Sequence, residues 1–172
     1  TKTQTHTKTQ TQTKTQTQTE SKAPATTYQE PKYTSVGGDF DTHKGKLPFP
    51  VGGKIVSHFG RSQHPSLPHV VIDNSGIDIE TSPGAVAKSV FAGTVSAIYR
   101  QDDTNTVVMV RHGNYITIYV NLTQIYVKNG QQVAAGTQLG KIYSDPEDDN
   151  RTILHFEIRQ ERTKLNPEAW LR

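Results

Sequence analysis

The sequence contains no cysteine, which excludes a disulfide scaffold, a Cys-ligated zinc site, an iron–sulfur cluster and thiol catalysis. It has no apolar run near the roughly 20 residues that a membrane-spanning helix needs, and no signal-peptide pattern. The sequence also lacks a large excess of charge of one sign, because 19 Lys and Arg residues are nearly balanced by 16 Asp and Glu residues. So small an excess does not indicate a nucleic-acid partner. What is present is a chain of 172 residues, enough for one domain and a tail.

Residues 1–45 differ from the rest in composition. Thr occupies every odd position from 1 to 19, with Lys, Gln or His in between. This alternation offers no apolar face to bury, so we predict a disordered low-complexity tail. Polar residues interrupted by Pro and Gly continue to residue 45 and predict a linker. The folded domain is therefore expected to cover residues 46–172.

The domain consists of short β-type segments separated by glycine, without an amphipathic helix of useful length. Strands are expected at 54–59, 69–72, 76–79, 89–100, 106–111, 115–122, 132–134, 138–143 and 153–159. The segments 89–100 and 106–111 predict a hairpin. Asn166 followed by Pro167 predicts a single helical turn. The expected fold class is all-β and antiparallel, with about 125 residues to form a core.

Alternation sorts the side chains of three segments onto two faces. In 153–159 the apolar residues Leu154, Phe156 and Ile158 oppose Ile153, His155, Glu157 and Arg159. In 115–122 the aliphatic residues Ile116, Ile118, Val120 and Leu122 are expected in the core, opposite Tyr115, Thr117, Tyr119 and Asn121. Asp78, with Asn74 before it, is expected on the polar side of its segment. These faces together predict a groove on one side of the sheet.

Two residues of this groove are suitable zinc ligands, Asp78 and His155, whereas Asn74 is a poor one. A catalytic zinc usually takes three protein ligands and a water molecule. A zinc site would therefore need a further histidine. His58, His64 and His69 lie upstream, and one of them, such as His64 or His69, would complete the site.

Six motifs follow one another in the order of a LytM-type (M23 peptidase) domain, which this chain resembles over about residues 46–172. The motifs are Gly76-Ile77-Asp78-Ile79, Val90-Phe91-Ala92-Gly93-Thr94-Val95, Tyr119-Val120-Asn121-Leu122, Val127-Lys128-x-Gly130-x-x-Val133-x-x-Gly136-x-x-Leu139-Gly140, Leu154-His155-Phe156-Glu157-Ile158-Arg159 and Asn166-Pro167-x-x-Trp170-Leu171. The resemblance implies a duplicated hybrid motif, barrel-sandwich-like in architecture.

Active members of this family carry His-x-x-x-Asp, Tyr-x-His and His-x-His. The resemblance implies that Asn74, Asp78 and His155 stand at the zinc-ligand positions. It also implies that Asn121 and Ile153 replace the two histidines that assist attack on the peptide bond. Neither an amide nor an aliphatic side chain acts as a general base. We therefore expect a non-enzymatic domain without a zinc cofactor.

Degenerate LytM domains of this kind resemble the EnvC-like murein hydrolase activators, as does the run from Lys46 to Val51. The resemblance implies a periplasmic, cell-envelope protein that switches on an N-acetylmuramoyl-L-alanine amidase during cell separation. Peptidoglycan is a second implied partner, and a membrane division complex is a third where a coiled coil precedes the domain. The residues expected to line the partner-binding groove are Asn74, Asp78, Tyr119, Asn121, Ile153, His155 and Arg159. Two alternatives stay open: an M23 zinc endopeptidase that cleaves peptidoglycan cross-links, and a peptidoglycan-binding module.

Overall fold

The computed structural model describes residues 39–172, which are almost entirely β-structure. Their strands are β1 Lys54–Ser57, β2 Gly60–Gln63, β3 Val71–Asn74, β4 Ile77–Thr81, β5 Val86–Lys88, β6 Gly93–Arg100, β7 Thr106–His112, β8 Tyr115–Ile125, β9 Gln132–Val133, β10 Gln138–Ile142, β11 Ser144–Asp145, β12 Arg151–Gln160 and β13 Thr163–Leu165. Two single-turn 3-10 helices, Asp41–His43 and Pro167–Ala169, flank them. No helix within this range is long and apolar enough to cross a membrane.

Eleven of these strands form one sheet, whose main path runs β1-β4-β12-β8-β7-β6-β9. β10 pairs with β5 and β8, β11 and β13 pair with β12, and β2 and β3 form a separate hairpin. Over residues 39–172 the sheet stays open and does not close into a barrel. β12 pairs antiparallel with both β4 and β8, so its polar face lies beside both neighbours. The predicted all-β antiparallel class is confirmed.

The core lies under the apolar face of β12, as the alternation predicted. Leu154, Phe156 and Ile158 are fully buried. Gly76 lies directly against this strand, and a Cβ atom there would collide with the Phe156 carbonyl oxygen. A glycine is therefore needed where the chain enters β4, and this close approach brings Asp78 up to β12.

Local signals predicted most, but not all, of the strands. The predicted hairpin is present as β6 and β7, although β6 begins at Gly93 rather than at residue 89. The predicted turn is also confirmed, because the Asn166 side chain accepts a hydrogen bond from the Glu168 amide at 3.0 Å. Four short strands, β2, β5, β11 and β13, were missed. Each has five residues or fewer, so its pairing depends on a neighbouring strand more than on its own sequence.

Packing begins before the boundary expected at Lys46. Phe40 is fully buried in the core, in a segment that composition assigned to the linker. The Leu47 amide then donates a hydrogen bond to the Trp170 carbonyl oxygen at 3.0 Å, which joins the start of this domain to its end. The part of the predicted tail before residue 39 lies outside the described residues.

Candidate functional site

A cluster of polar side chains forms where β4 and β12 pair. His155 stands directly opposite Asp78 in the register. Its Nδ1 atom lies 2.7 Å from Asp78 Oδ1, and its Nε2 atom lies 3.1 Å from Glu157 Oε1. Carboxylate oxygens only accept hydrogen bonds, so an imidazole held between two of them is stabilised with a proton on each nitrogen.

The charge of His155 follows from these two contacts. Burial by itself lowers the pKa of His155, but the hydrogen bonds and charges of Asp78 and Glu157 outweigh burial and raise the pKa to about 9. At neutral pH the ring is therefore an imidazolium that donates to both carboxylates.

Glu157 is the centre of this cluster, although it was not among the residues expected to line the groove. Its side chain is only 8% exposed and is held by Arg159, whose Nε and Nη2 atoms lie 2.7 and 2.6 Å from Oε2. The Ser75 hydroxyl donates to Oε1 at 2.9 Å. Burial by itself raises the pKa of Glu157, but hydrogen bonds from His155, Arg159 and Ser75 lower it to about 2. Asp78, His155, Glu157 and Arg159, here called the ion-pair cluster, therefore hold two negative and two positive charges.

Asn74 borders the ion-pair cluster with both of its polar atoms engaged. Its Nδ2 atom donates to Ser57 Oγ at 2.9 Å and to Asp78 Oδ2 at 3.3 Å. Its Oδ1 atom accepts from the Gly76 amide at 3.0 Å. The side chain thus closes the turn between β3 and β4, and its only oxygen faces a backbone donor.

The donor set does not fit the zinc site of the family. An amide such as that of Asn74 is a poor zinc ligand, and carboxylates contact both ring nitrogens of His155. In residues 39–172 no group of three or more His, Asp and Glu side chains is arranged to hold a metal ion. His64, one of the upstream candidates, instead accepts a hydrogen bond from the Ser66 amide within its own loop.

Tyr119 was expected in the groove, and this prediction was wrong. It pairs directly opposite Phe156, so the two share the core face, with ring centroids 5.3 Å apart. Its hydroxyl accepts a hydrogen bond from the Val90 amide at 3.1 Å and bonds to the Thr117 hydroxyl at 3.2 Å. Because its one polar group is satisfied, the whole side chain can be buried. The residues opposite His155 and Glu157, Val120 and Ile118, consequently lie on the groove side of β8.

Asn121 and Ile153 meet a short distance along the same face. The Asn121 amide nitrogen Nδ2 donates to the Ile153 carbonyl oxygen at 3.2 Å. Asn121 has a φ of 72°, in the left-handed region that Asn tolerates better than most residues. This local irregularity lets Leu122 turn into the core although Tyr119 is already there.

A cavity of about 280 Å³ opens beside this contact. It is lined by Asp102, Thr104, Asn105, Asn121, Tyr143, Asp145, Asp148, Arg151 and Ile153. Three carboxylates thus face one guanidinium, and Arg151 is shared between Glu80, at 3.0 Å, and Asp148, at 3.8 Å. The lining is net negative. Since Ile153 and His155 are two residues apart on one face of β12, this acidic cavity adjoins the ion-pair cluster.

The structure therefore divides the seven predicted groove residues into three groups. Asn74, Asp78, His155 and Arg159 come together around Glu157, whereas Asn121 and Ile153 line the acidic cavity. Only Tyr119 lies in the core. The alternation of β12 had already placed Glu157 beside His155 and Arg159, and this was the signal for its role.

Three known proteins show what this chain is similar to. It is 35% identical over 153 residues to the protein NMB1333 of Neisseria meningitidis serogroup B, covering 84% of this chain and 23% of that protein. It is 27% identical over 155 residues to the murein hydrolase activator NlpD of Salmonella typhimurium, covering 87% and 37% respectively. Among solved structures, a zinc-containing peptidase from Vibrio cholerae shares the fold, with a TM-score of 0.60 at 24% identity. That match covers 73% of this chain and 40% of the peptidase.

The chain spans well under half the length of the two sequence relatives, 23% of one and 37% of the other. Residues 73–167, more than half of the chain, match the sequence profile of peptidase family M23. This chain therefore belongs to peptidase family M23.

Proposed function

We propose that this domain is a non-catalytic activator of murein hydrolases, which binds an N-acetylmuramoyl-L-alanine amidase and switches it on. One observation carries the proposal: Asp78 and His155, which the resemblance assigns to zinc-ligand positions, are part of a neutral, internally paired ion-pair cluster. The similarity to NlpD, a murein hydrolase activator, supports the same role. Such an activator acts where murein lies, so we place the protein in the periplasm.

Hydrolysis in this family needs a metal-activated water and a general base. The three positions that would provide the third ligand and the two assisting histidines hold Asn74, Asn121 and Ile153. The side-chain amides of Asn74 and Asn121 form hydrogen bonds within the fold. Ile153 has no group that exchanges a proton. On this proposal the site lacks the groups that hydrolysis requires.

The surface that remains is patterned in charge, which suits the recognition of a protein segment. Arg159 donates from Nε and Nη2 to Glu157. Its Nη1 atom forms no hydrogen bond with any of residues 39–172. That atom is thus available to a partner carboxylate. The acidic cavity, which adjoins the ion-pair cluster on the polar face of β12, suits a basic side chain of the partner. Charge complementarity of this kind favours one partner and one orientation over others.

The test is to measure amidase stimulation and metal content on one preparation of the chain. We expect the purified protein to increase murein release by an autoinhibited amidase, to carry substoichiometric zinc and to be insensitive to a chelator. On its own it should release nothing from sacculi. Zinc at one equivalent together with cleavage of stem peptides would establish the peptidase instead. Sedimentation with sacculi without amidase stimulation would leave only a peptidoglycan-binding module.

Asp148→Lys should weaken amidase stimulation about tenfold, the change expected from loss of one favourable contact of roughly 1.4 kcal/mol. The substitution puts a cation and a long side chain at the mouth of the acidic cavity. Asp148 is exposed and pairs only at 3.8 Å with Arg151, so the fold should persist. Titrating the amidase with each variant and comparing half-maximal concentrations measures the effect.

Asp103→Lys is the matched control for this prediction. Asp103 makes the same kind of exposed pair, at 3.8 Å to Arg100 three residues away, but it does not line the cavity. Equal losses in the two variants would mean that net charge, and not the cavity, determines the effect. Arg159 is a less suitable probe, because its removal would also leave buried Glu157 without its guanidinium.

A further inference from the structure

An aromatic cluster closes the end of the domain where its first and last segments meet. Phe40 is fully buried there. Its ring is stacked on His112 and Tyr115, with centroids 4.8 and 5.0 Å away. It also contacts Phe91 at 5.6 Å and Trp170 at 5.1 Å. The ring of Phe40 is thus shared among four aromatic partners on three parts of the chain.

The segment that carries Phe40 has no backbone hydrogen bond to the sheet. From Asp39 to Lys46 the backbone bonds stay within the segment, and the first one to the rest of the domain is made by the Leu47 amide. The turn is closed locally, since the Thr42 hydroxyl donates to the Asp39 carbonyl oxygen at 2.8 Å. Side chains therefore provide the attachment, with the Phe40 ring as its buried part. The segment can detach without breaking a strand pairing.

Beneath Phe40 lies a buried, neutral histidine. His112 is 1% exposed, and its Nδ1 atom donates to the Ala92 carbonyl oxygen at 2.7 Å. Because the carbonyl only accepts, Nδ1 carries a proton, and the Nε2 atom lies 2.8 Å from the Thr117 hydroxyl oxygen. Thr117 in turn bonds to the Tyr119 hydroxyl at 3.2 Å. A chain of hydrogen bonds thus runs from the Phe40 contact into β8, the strand that also carries Asn121.

We infer that Phe40 is a latch, which ties the segment of residues 39–46 to β8 and whose release is linked to protonation of His112. Docked, the ring covers a neutral His112. Released, the ring admits water and a second proton to the imidazole, whose Nε2 then donates to the Thr117 hydroxyl oxygen or to water. The linkage is reciprocal. Because docking of the Phe40 ring disfavours protonation of His112, protonation of His112 must disfavour docking of Phe40 to the same extent. The inference rests on these contacts and holds whether or not the domain activates an amidase.

The charge of His112 depends on its burial, to which the stacked Phe40 ring contributes. Burial lowers the pKa of His112 to about 4. Tyr115 and Tyr119 face it from β8, Arg111 precedes it on β7, and His43 and Lys44 belong to the segment that covers it. Within residues 39–172, no carboxylate forms a hydrogen bond or a salt bridge with its ring. No acidic group therefore compensates the charge that a second proton would bring.

The experiment is a proton-NMR titration of His112 in the full chain, in wild type and in Phe40→Ala. We expect the pKa of His112 to rise by about one or more in the variant, a tenfold increase in proton affinity. Faster hydrogen exchange of residues 39–47 should accompany it, while β12 stays protected. Phe49→Ala is the matched control, since Phe49 is 37% exposed and lies outside the aromatic cluster, and it should change neither quantity.

A folded Phe40→Ala variant with an unchanged pKa of His112 would overturn the inference. If Phe40→Ala does not fold, Thr42→Ala replaces it, because this change weakens only the exposed turn that presents Phe40. That variant should raise the pKa of His112 and the exchange rate of residues 39–47 in the same direction but by less. Wild-type values for both would equally overturn the latch.

Discussion

Glu157→Ala is expected to lower the free energy of unfolding by about 3–5 kcal/mol, the cost of removing one partner from a buried ion pair. The substitution leaves two cations, His155 and Arg159, without the carboxylate that lies between them. It also deprives the Ser75 hydroxyl of its acceptor. Urea denaturation at pH 7, followed by the single tryptophan, Trp170, measures the loss.

Glu161→Ala is the control for this result. Glu161 also pairs with an arginine, Arg111, at 3.3 Å, but its side chain is 59% exposed. Exposed pairs contribute little, so the loss should stay below about 1 kcal/mol. Similar losses for the two variants would show that the ion-pair cluster is no more than a surface feature. A large difference would support the view that the ion-pair cluster stabilises the fold.

The stability of the domain should pass through a maximum near pH 6.5. On the alkaline side, His155 is protonated in the folded chain with a pKa of about 9, against an ordinary value of 6.5. Its contribution is therefore complete below pH 6.5 and is lost as the pH rises through 9. On the acid side, His112 has a folded pKa of about 4, so the unfolded chain gains a proton that the folded chain does not. Stability therefore falls as the pH drops from 6.5 to 4.

Each limb of this curve should amount to roughly 3 kcal/mol, from the difference between folded and unfolded pKa values. Glu157, with a pKa of about 2, adds a further loss below pH 4.5. Denaturation at pH 4.5, 6.5 and 9 measures the curve. His155→Gln should flatten the alkaline limb, and His112→Phe should flatten the limb between pH 6.5 and 4. Stability that increased from pH 6.5 to 9 would contradict the assignment of an imidazolium at position 155.

The two histidines show how the fold gives opposite charges to one residue type. His155 lies between two carboxylates at the edge of a groove, and their charge outweighs the cost of burial. His112 lies among aromatic rings with a carbonyl oxygen and a hydroxyl as partners, so burial prevails. The first therefore stabilises the protein as a cation, and the second only as a neutral ring.

Alternation in the sequence was sufficient where one face of a strand is unambiguously apolar. For β12 it predicted the buried face, with Phe156 at its centre, and the polar face with His155, Glu157 and Arg159. For β8 it failed, because a face of aliphatic residues and a face of Tyr and Thr residues can both be buried. The register opposite Phe156 and the hydrogen bonds of the Tyr119 hydroxyl decide between them, and neither can be read from local sequence.

Sequence alone thus determined the family, the antiparallel all-β class and most of the residue types at the candidate site, since these depend on short motifs and on strand period. The tertiary structure decided which groups meet. Glu157 joins His155 and Arg159 into one neutral cluster, Asn121 and Ile153 border an acidic cavity, and Phe40 enters the core from a segment of linker-like composition. The reason is that charge pairing and burial depend on contacts between residues far apart in the chain, which no local pattern specifies.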